Sequence, residues 1–353
     1  MKISLIGDTF KYNGSGIPAY SQHLYEELIK RGVTVEKIEI GIKANKLKLN
    51  IPGFRTINRL KFFSFYGKDL YNKNLHVMSP GVLPIKLINH IKKKVITVHD
   101  FYLFDDEFIK LTLKSYGTIK RQLQLYLLKN SREEYSHIKY YDFVFAMNGK
   151  VRNRLISEFG VDPDKVEVTY SIIPDKFRPL PRQKDKNSKI VIGYVNNPNI
   201  NKILKLRKFI EVFKGIKYDS LEFQIYGKDF PFQDLIKDDP RIKYLGFLPE
   251  EKIVETYNSF DVYLSTSIME GFGLPIMQAK ACKVPVLCYD GDIPDIVKRN
   301  TLIWNDDNLE EIIKNRSWEK VDVEKAYLDA EECRADKIIP KMINVYKNVF
   351  GDN

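Results

Sequence analysis

Glu270 stands directly before a Gly-Phe-Gly turn in the stretch "SIMEGFGLPIMQAKACKVPVLCYD", residues 267–290, and Gln278 follows eight positions later. Gly271 and Gly273 let a chain turn tightly and let a ligand approach the backbone. Pro275 suits a first helical turn, where its missing N–H costs nothing. The amides near Phe272, Gly273 and Leu274 are then left for an anion, which the helix dipole favours. Leu274, Met277 and Ala281 read as the buried stripe of that helix. Gln278 lies on another face, and the tilt of side chains toward a helix N-terminus lets it reach back to the same ligand. The plain alternative is a glycine-rich strand-to-helix turn with incidental polar residues.

Three further places carry chemistry. His99 and Asp100 end the apolar run "VITVHD". Gly14 and Gly16 lie in "NGSG", and with Ala19 they match the dinucleotide fingerprint G-x-G-x-x-A, Glu36 or Glu39 being the ribose acid. That fingerprint needs its glycines immediately after the strand, whereas seven residues separate Gly14 from the strand end at Ile6. Asp290 and Asp292 follow another apolar run and invite a metal, but no other carboxylate cluster lies in register, so no catalytic metal is expected.

The elements that must position these residues alternate. "KISLI" is strand-like, Pro18 opens a helix whose apolar face runs through Leu24, Leu28 and Ile29 to Gly32, and "VTVEKIEI" is again a strand. "KVITVHD" and "YDFVFAMN" are apolar runs ending in polar residues, as strands of a parallel sheet do. Prolines and charges cluster over residues 171–189. A second series follows: "IVIGYV", "KILKLRKFIEVFKG", "LEFQIYG", "IKYLGF", "DVYLST" and "VPVLCYD". The expectation is an α/β chain of two doubly wound domains, 1–172 and 190–335, joined by a linker at 173–189, with an interdomain cleft lined by strand ends. A last amphipathic helix, 336–353, with Ile338, Met342, Val345 and Val349 on one side, is expected to pack back on the N-terminal domain.

These motifs in this order resemble the retaining GT-B glycosyltransferases of family 4, whose donor motif is E-x7-E. "EGFGLPIMQAKACKVPVL" carries the resemblance, extended by "RIKYLGFLPEEKIVETYNSFDVYLSTSIMEGFG", "DIPDIV" and "LIWNDDNLEEII", and in the first half by "VITVHD" and "DFVFAMNGKVRNRLISEFGVDPDKVEVTYSIIP". It covers most of the chain. The resemblance implies two Rossmann-like domains, the first receiving the acceptor and the second a nucleotide-sugar donor. Glu270 would lie against the donor sugar, with the amides of Phe272, Gly273 and Leu274 on sugar and phosphate oxygens. Position 278 would bind the ribose; Gln278 departs from the usual acid there, yet an amide still offers an acceptor and two donors. Asn196 stands where the family carries an arginine, and Lys202 near the family's lysine, so one cation with the helix terminus would stabilise the leaving diphosphate. Lys205 and Arg207 are the candidates to supply the missing charge. His99 would approach the donor sugar, Gly14 and Gly16 would offer amides, and Leu248 joins the donor-binding set. The implied reaction is metal-independent and uses no cofactor, only a UDP- or GDP-sugar as substrate.

The net charge of +11 fits an anionic partner without choosing one. From Gly41 to Lys68 there are seven Lys or Arg and no acid, interleaved with aromatic residues. Such a segment suits peripheral contact with a membrane surface, an anionic or lipid-linked acceptor, nucleic acid, or plain solvent. No apolar run approaches eighteen residues, the start lacks a signal-peptide cleavage pattern, and Cys282, Cys288 and Cys333 lack metal-ligand spacing. A reducing, cytoplasmic setting is expected. Two other readings stay open: a catalytically silent nucleotide-sugar binder, suggested by Asn196 and Gln278, and a basic nucleic-acid-binding or -modifying protein.

Overall fold

The computed structural model of the chain describes residues 1–10, 16–40, 67–106, 109–110, 113, 132–181, 188–195, 200–228 and 230–351. Two compact units are formed, one by Met1–Ile172 with Ala335–Asn353 and the other by Ile173–Arg334.

The first unit is built on a six-stranded parallel sheet of β1 (Lys2–Gly7), β2 (Thr34–Glu39), β3 (Asn74–Val77), β4 (Lys93–Val98), β5 (Phe143–Ala146) and β6 (Val166–Val168). The strand order is β2-β1-β3-β4-β5-β6, every pair parallel. Ile3, Leu5 and Ile6 are all fully buried although they point to opposite faces, because helices cover both sides of a parallel sheet. Helix α1 (Gly16–Lys30) follows β1 and helix α2 (Gly149–Phe159) follows β5. Asn148 caps α2 by accepting from the Val151 amide at 2.9 Å, and Gly160 ends it at φ 64°. On α1 the buried line is Tyr20, Leu24 and Leu28, spaced by four. Ile29, expected on that face, stands a further 100° round the helix and is 44% exposed.

The second unit repeats the plan with β7 (Ile190–Val195), β8 (Leu221–Tyr226), β9 (Ile242–Gly246), β10 (Val262–Ser265), β11 (Val286–Tyr289) and β12 (Leu302–Trp304). Their order, β12-β11-β10-β7-β8-β9, places β7 beside β10 at the point where the winding reverses. Loops leaving the carboxyl ends of these two strands diverge to opposite faces and leave room between them for a ligand. Helix α3 (Ile200–Gly215) follows β7, α4 (Leu274–Ala281) follows β10, and α5 (Val323–Glu331) follows later. The core packs Phe209, Phe213, Phe223 and Trp304 beneath the sheet.

The front of the proline-rich segment, 173–177, is tied down within the second unit. Ile173 forms a bridge with Arg334, whose buried guanidinium donates to the carbonyls of Ile173, Pro174 and Phe177. Its N–H donors thereby satisfy three backbone carbonyls of this segment. Beyond it the chain enters α6 (Ala335–Phe350), which belongs to the first unit and packs on α1 and β4 through Ile338, Ile339, Met342, Val345 and Tyr346. Among the described residues no helix is long and apolar enough to cross a membrane.

Candidate active site

At the winding reversal of the second unit, the loop after β10 runs as an irregular strand from Ile268 to Glu270. Each backbone polar group from the Ile268 amide to the Glu270 amide is engaged. The Ile268 amide donates to the Asn201 carbonyl at 3.0 Å, and the Met269 amide to Asn201 Oδ1 at 2.8 Å. Met269 O accepts from Asn201 Nδ2. On the other side Ile268 O accepts from the Asp292 amide at 2.7 Å, and the Glu270 amide donates to Asp292 O at 3.1 Å. Gly291 is obligatory at this crossing: a Cβ there would lie 2.2 Å from the Ile268 carbonyl oxygen, inside any tolerable contact.

Glu270 is therefore carried on a fixed backbone. Its Oε1 accepts from Ser267 Oγ at 2.6 Å and lies 3.5 Å from Lys202 Nζ, at the start of α3. The Lys202 and Glu270 side chains are 11% and 15% exposed, enough to meet a ligand. Among the described residues nothing donates to Oε2, so one carboxylate oxygen is held and the other is presented. Lys202 and Glu270, 68 residues apart in sequence, are brought together here.

Helix α4 opens directly after the turn. Gly273 sits at φ 92°, and a Cβ there would meet Val297 at 3.1 Å, so both conformation and space select glycine. The amides of Ile276 and Met277 bond back to Gly273 O, and Pro275 has none to offer. Phe272 is buried, Leu274 and Gln278 are half-buried, and Leu248, after β9, is buried. Of the expected apolar stripe, Met277 and Ala281 are fully buried, whereas Leu274 is only partly so.

Lys280 in α4 is 0% exposed, a position at which the sequence reading expected nothing. Its ammonium donates to Asp329 Oδ2 at 3.0 Å on α5, and to the carbonyls of Ile296 and Arg299. Burial lowers its pKa and Asp329 raises it, the net direction being down. Asp329, 49 residues away, is what makes this lysine tolerable, and nothing near position 280 announces it. Ser267 and Asn201 also went unread, because their roles depend on partners the local sequence does not name.

The spare cations are committed elsewhere. Lys205 pairs with Asp306 at 2.7 Å over the Tyr289 ring, and Arg207 pairs with Glu211. Asp290 pairs with Lys298 at 2.8 Å, while Asp292 contributes its backbone to the Glu270 loop. Among the described residues no group of three or more His, Cys, Asp or Glu could hold a metal. Asn196 and Gly14 lie outside the described residues, as does the basic run over 41–66.

In the first unit His99 follows β4. Its Nε2 donates to the Met78 carbonyl at 2.8 Å, which leaves Nδ1 as the acceptor nitrogen. Burial pushes its pKa down to about 4, so the ring is neutral at pH 7. Tyr20 packs edge-on against it, with centroids 5.1 Å apart. The Tyr20 hydroxyl lies 3.4 Å from Thr97 Oγ1, which is 2.8 Å from His76 Nε2, and His76 Nδ1 is 2.7 Å from the Tyr346 hydroxyl on α6. Asp100 Oδ1 accepts from the Tyr102 amide and so caps a short turn. Gly16 begins α1 and is exposed. Glu36 is held by Lys73 and Ser4, and Glu39 by the Phe10 amide, so both acids of the dinucleotide alternative have partners. The three cysteines are free and buried.

Residues 189–316 match the model of the family described as glycosyl transferases group 1. O-antigen chain mannosyltransferase B of Escherichia coli is 28% identical over 114 residues, 30% of this chain and 30% of that protein. N-acetyl-alpha-D-glucosaminyl L-malate synthase of Bacillus anthracis is 23% identical over 382 residues, 96% of this chain and 95% of that one. The chain spans 30% and 39% of the length of the first curated relatives it matches. Among solved structures, sucrose-phosphate synthase from Thermosynechococcus elongatus aligns with a TM-score of 0.76 at 13% identity, covering 100% of both chains. With two six-stranded parallel sheets, this likeness makes the fold GT-B. The segment that matches the glycosyltransferase family model thus lies within a chain of GT-B fold.

Proposed function

We propose that this chain transfers a sugar from a nucleotide-sugar donor to an acceptor with retention of anomeric configuration. The observation that carries the reading is the Lys202–Glu270 pair at the winding reversal of the second unit, immediately before a glycine-started helix. In this reading the second unit takes the donor and the first the acceptor. Lys202 and the first amides of α4 stabilise the departing diphosphate, where negative charge grows as the sugar–phosphate bond breaks. Glu270 Oε2 holds the sugar while positive charge develops on its ring. The departing phosphate oxygen takes the proton of the attacking hydroxyl on the face it is leaving, so bond making and bond breaking share one face. Gln278 binds the ribose, with Phe272, Gly273, Leu274 and Leu248 around the donor. Asn196 completes the donor set of this reading.

The donor is a UDP- or GDP-sugar, and the reaction uses neither metal nor cofactor. An anionic or lipid-linked acceptor agrees with the net charge of +11, and the Bacillus relative is named for a product containing L-malate. Three buried free thiols fit a cytoplasmic setting, with the basic run 41–68 available for peripheral membrane contact.

A thermal-shift screen against UDP-, GDP- and ADP-sugars, followed by NMR of the product's anomeric proton, tests the reading. At least one donor should stabilise the protein and be consumed with retention. Stabilisation without consumption would mean a silent nucleotide-sugar binder, as Gln278 and Asn196 suggest, and stabilisation by none of them overturns the reading.

A further inference from the structure

We infer that Asn201 is a positioning residue: its side-chain amide clamps the Met269 peptide and thereby fixes where the Glu270 carboxylate stands. The inference rests on the donor-site reading for its catalytic consequence, though not for the clamp.

Beyond Ser265 strand β10 loses its regular partners, yet Glu270 lies five residues further on. Something must hold the chain between them. Asn201 does so by acting as a piece of neighbouring strand. In an extended residue the N–H and C=O point to the same side, about as far apart as the oxygen and nitrogen of a carboxamide. Asn201 Oδ1 accepts from Met269 N and Asn201 Nδ2 donates to Met269 O, while the Asn201 carbonyl accepts from the Ile268 amide. The orientation of the amide is dictated by its partners, because the flipped group would set donor against donor and oxygen against oxygen. Asn201 is 4% exposed, so these bonds form away from competing water.

Two consequences meet in this residue. It fixes the loop against which Ser267 and Lys202 hold Glu270 Oε1, and it is the chain neighbour of Lys202 itself. The start of α3 and the loop after β10 therefore move together, and the cation for the leaving group stays in register with the carboxylate for the sugar. No other residue type offers this pairing at this length. Serine and alanine lack one or both groups, glutamine is a methylene too long, and an ionised aspartate presents an oxygen to the Met269 carbonyl.

Asn201→Ala and Asn201→Asp test the clamp, with wild type alongside. Amide exchange by NMR is read first. In Asn201→Ala the Met269 amide should exchange at least tenfold faster, while core amides such as Leu264 keep their protection. Steady-state kinetics on the donor identified for wild type should show kcat down about tenfold or more and donor KM changed less than threefold. Asn201→Asp should match that loss at pH 8 and recover as pH falls, relative to wild type, because a protonated carboxyl can again donate to Met269 O. Unchanged Met269 exchange in Asn201→Ala overturns the clamp. Faster exchange with unchanged kcat, or an Asn201→Asp profile parallel to wild type, overturns the positioning role. If wild type consumes no nucleotide sugar, the donor reading fails by that result alone, and the exchange measurement still decides the clamp.

Discussion

His99 and Glu270 both lie beyond the carboxyl end of a parallel strand, His99 directly after β4 in one unit and Glu270 in the loop that follows β10 in the other. Their surroundings are opposite. His99 is enclosed by Tyr20 and the Met78 carbonyl, and it stays neutral because burial penalises the imidazolium. Glu270 keeps a charged partner and part of its surface, and its loop is held by backbone hydrogen bonds rather than by enclosure. The carboxyl end of a parallel strand can thus lead to a neutral acceptor or to a charge. What decides it is whether the following loop closes over the side chain or is pinned from both flanks. Enclosure gives rigidity through packing, whereas pinning gives rigidity without removing the charge from solvent.

The largest effect that sharpens this contrast is acid loss of stability in the first unit. Burial holds His76 down to about 3 and His99 down to about 4, against 6.5 for a free imidazole. The unfolded chain then binds these protons more readily than the folded one. The stabilising contribution is complete above about pH 6.5 and is lost as pH falls toward 4 and then 3, roughly 3 kcal/mol per imidazole by pH 4. Urea unfolding followed between pH 7 and 4 should show this, and a flat profile through that window would remove the enclosure argument.

Glu270→Gln comes next. It keeps the shape and the Ser267 hydrogen bond but removes the charge, so kcat should fall about a hundredfold, with donor KM changed less than threefold. Normal kcat would sink the assignment. Lys202→Ala should weaken donor binding or turnover by about tenfold, ~1.4 kcal/mol. Lys205 and Arg207 each already pair with an acid, Asp306 and Glu211. An unchanged variant would take Lys202 out of the site. The smallest effect belongs to Gln278, which binds ground and transition states alike. Gln278→Ala should raise donor KM a few-fold at constant kcat, and Gln278→Glu should stay near wild type. A kcat effect exceeding the KM effect in Gln278→Ala would contradict the ribose assignment.

The fold class was legible because apolar runs and helical spacings alternate, and both sheets follow from that alternation. Strands β3, β6 and β12 were not read; β6 and β12 span three residues each, too few for any period to show. The glycine-proline turn around Glu270 could be read locally, since each residue there answers to its own backbone conformation. Asn201 and Lys280 could not, since each is explained by a partner 68 or 49 residues away. Ile29 shows the limit of apolar spacing as a guide: one residue past Leu28 is another face.

The first unit is discontinuous along the chain, its last helix α6 arriving only after all of 173–334 has been traversed. On the ribosome that order becomes a delay. At about 5–20 residues per second, roughly 8 to 30 seconds separate the emergence of β6 from that of α6. During that time His76 has no Tyr346, and the surfaces of α1 and β4 that receive Ile338, Ile339 and Met342 stay uncovered. The second unit, contiguous from Ile173 to Arg334, is free to fold first even though it is made second. Completion of the first unit therefore waits on the synthesis of the whole of the second.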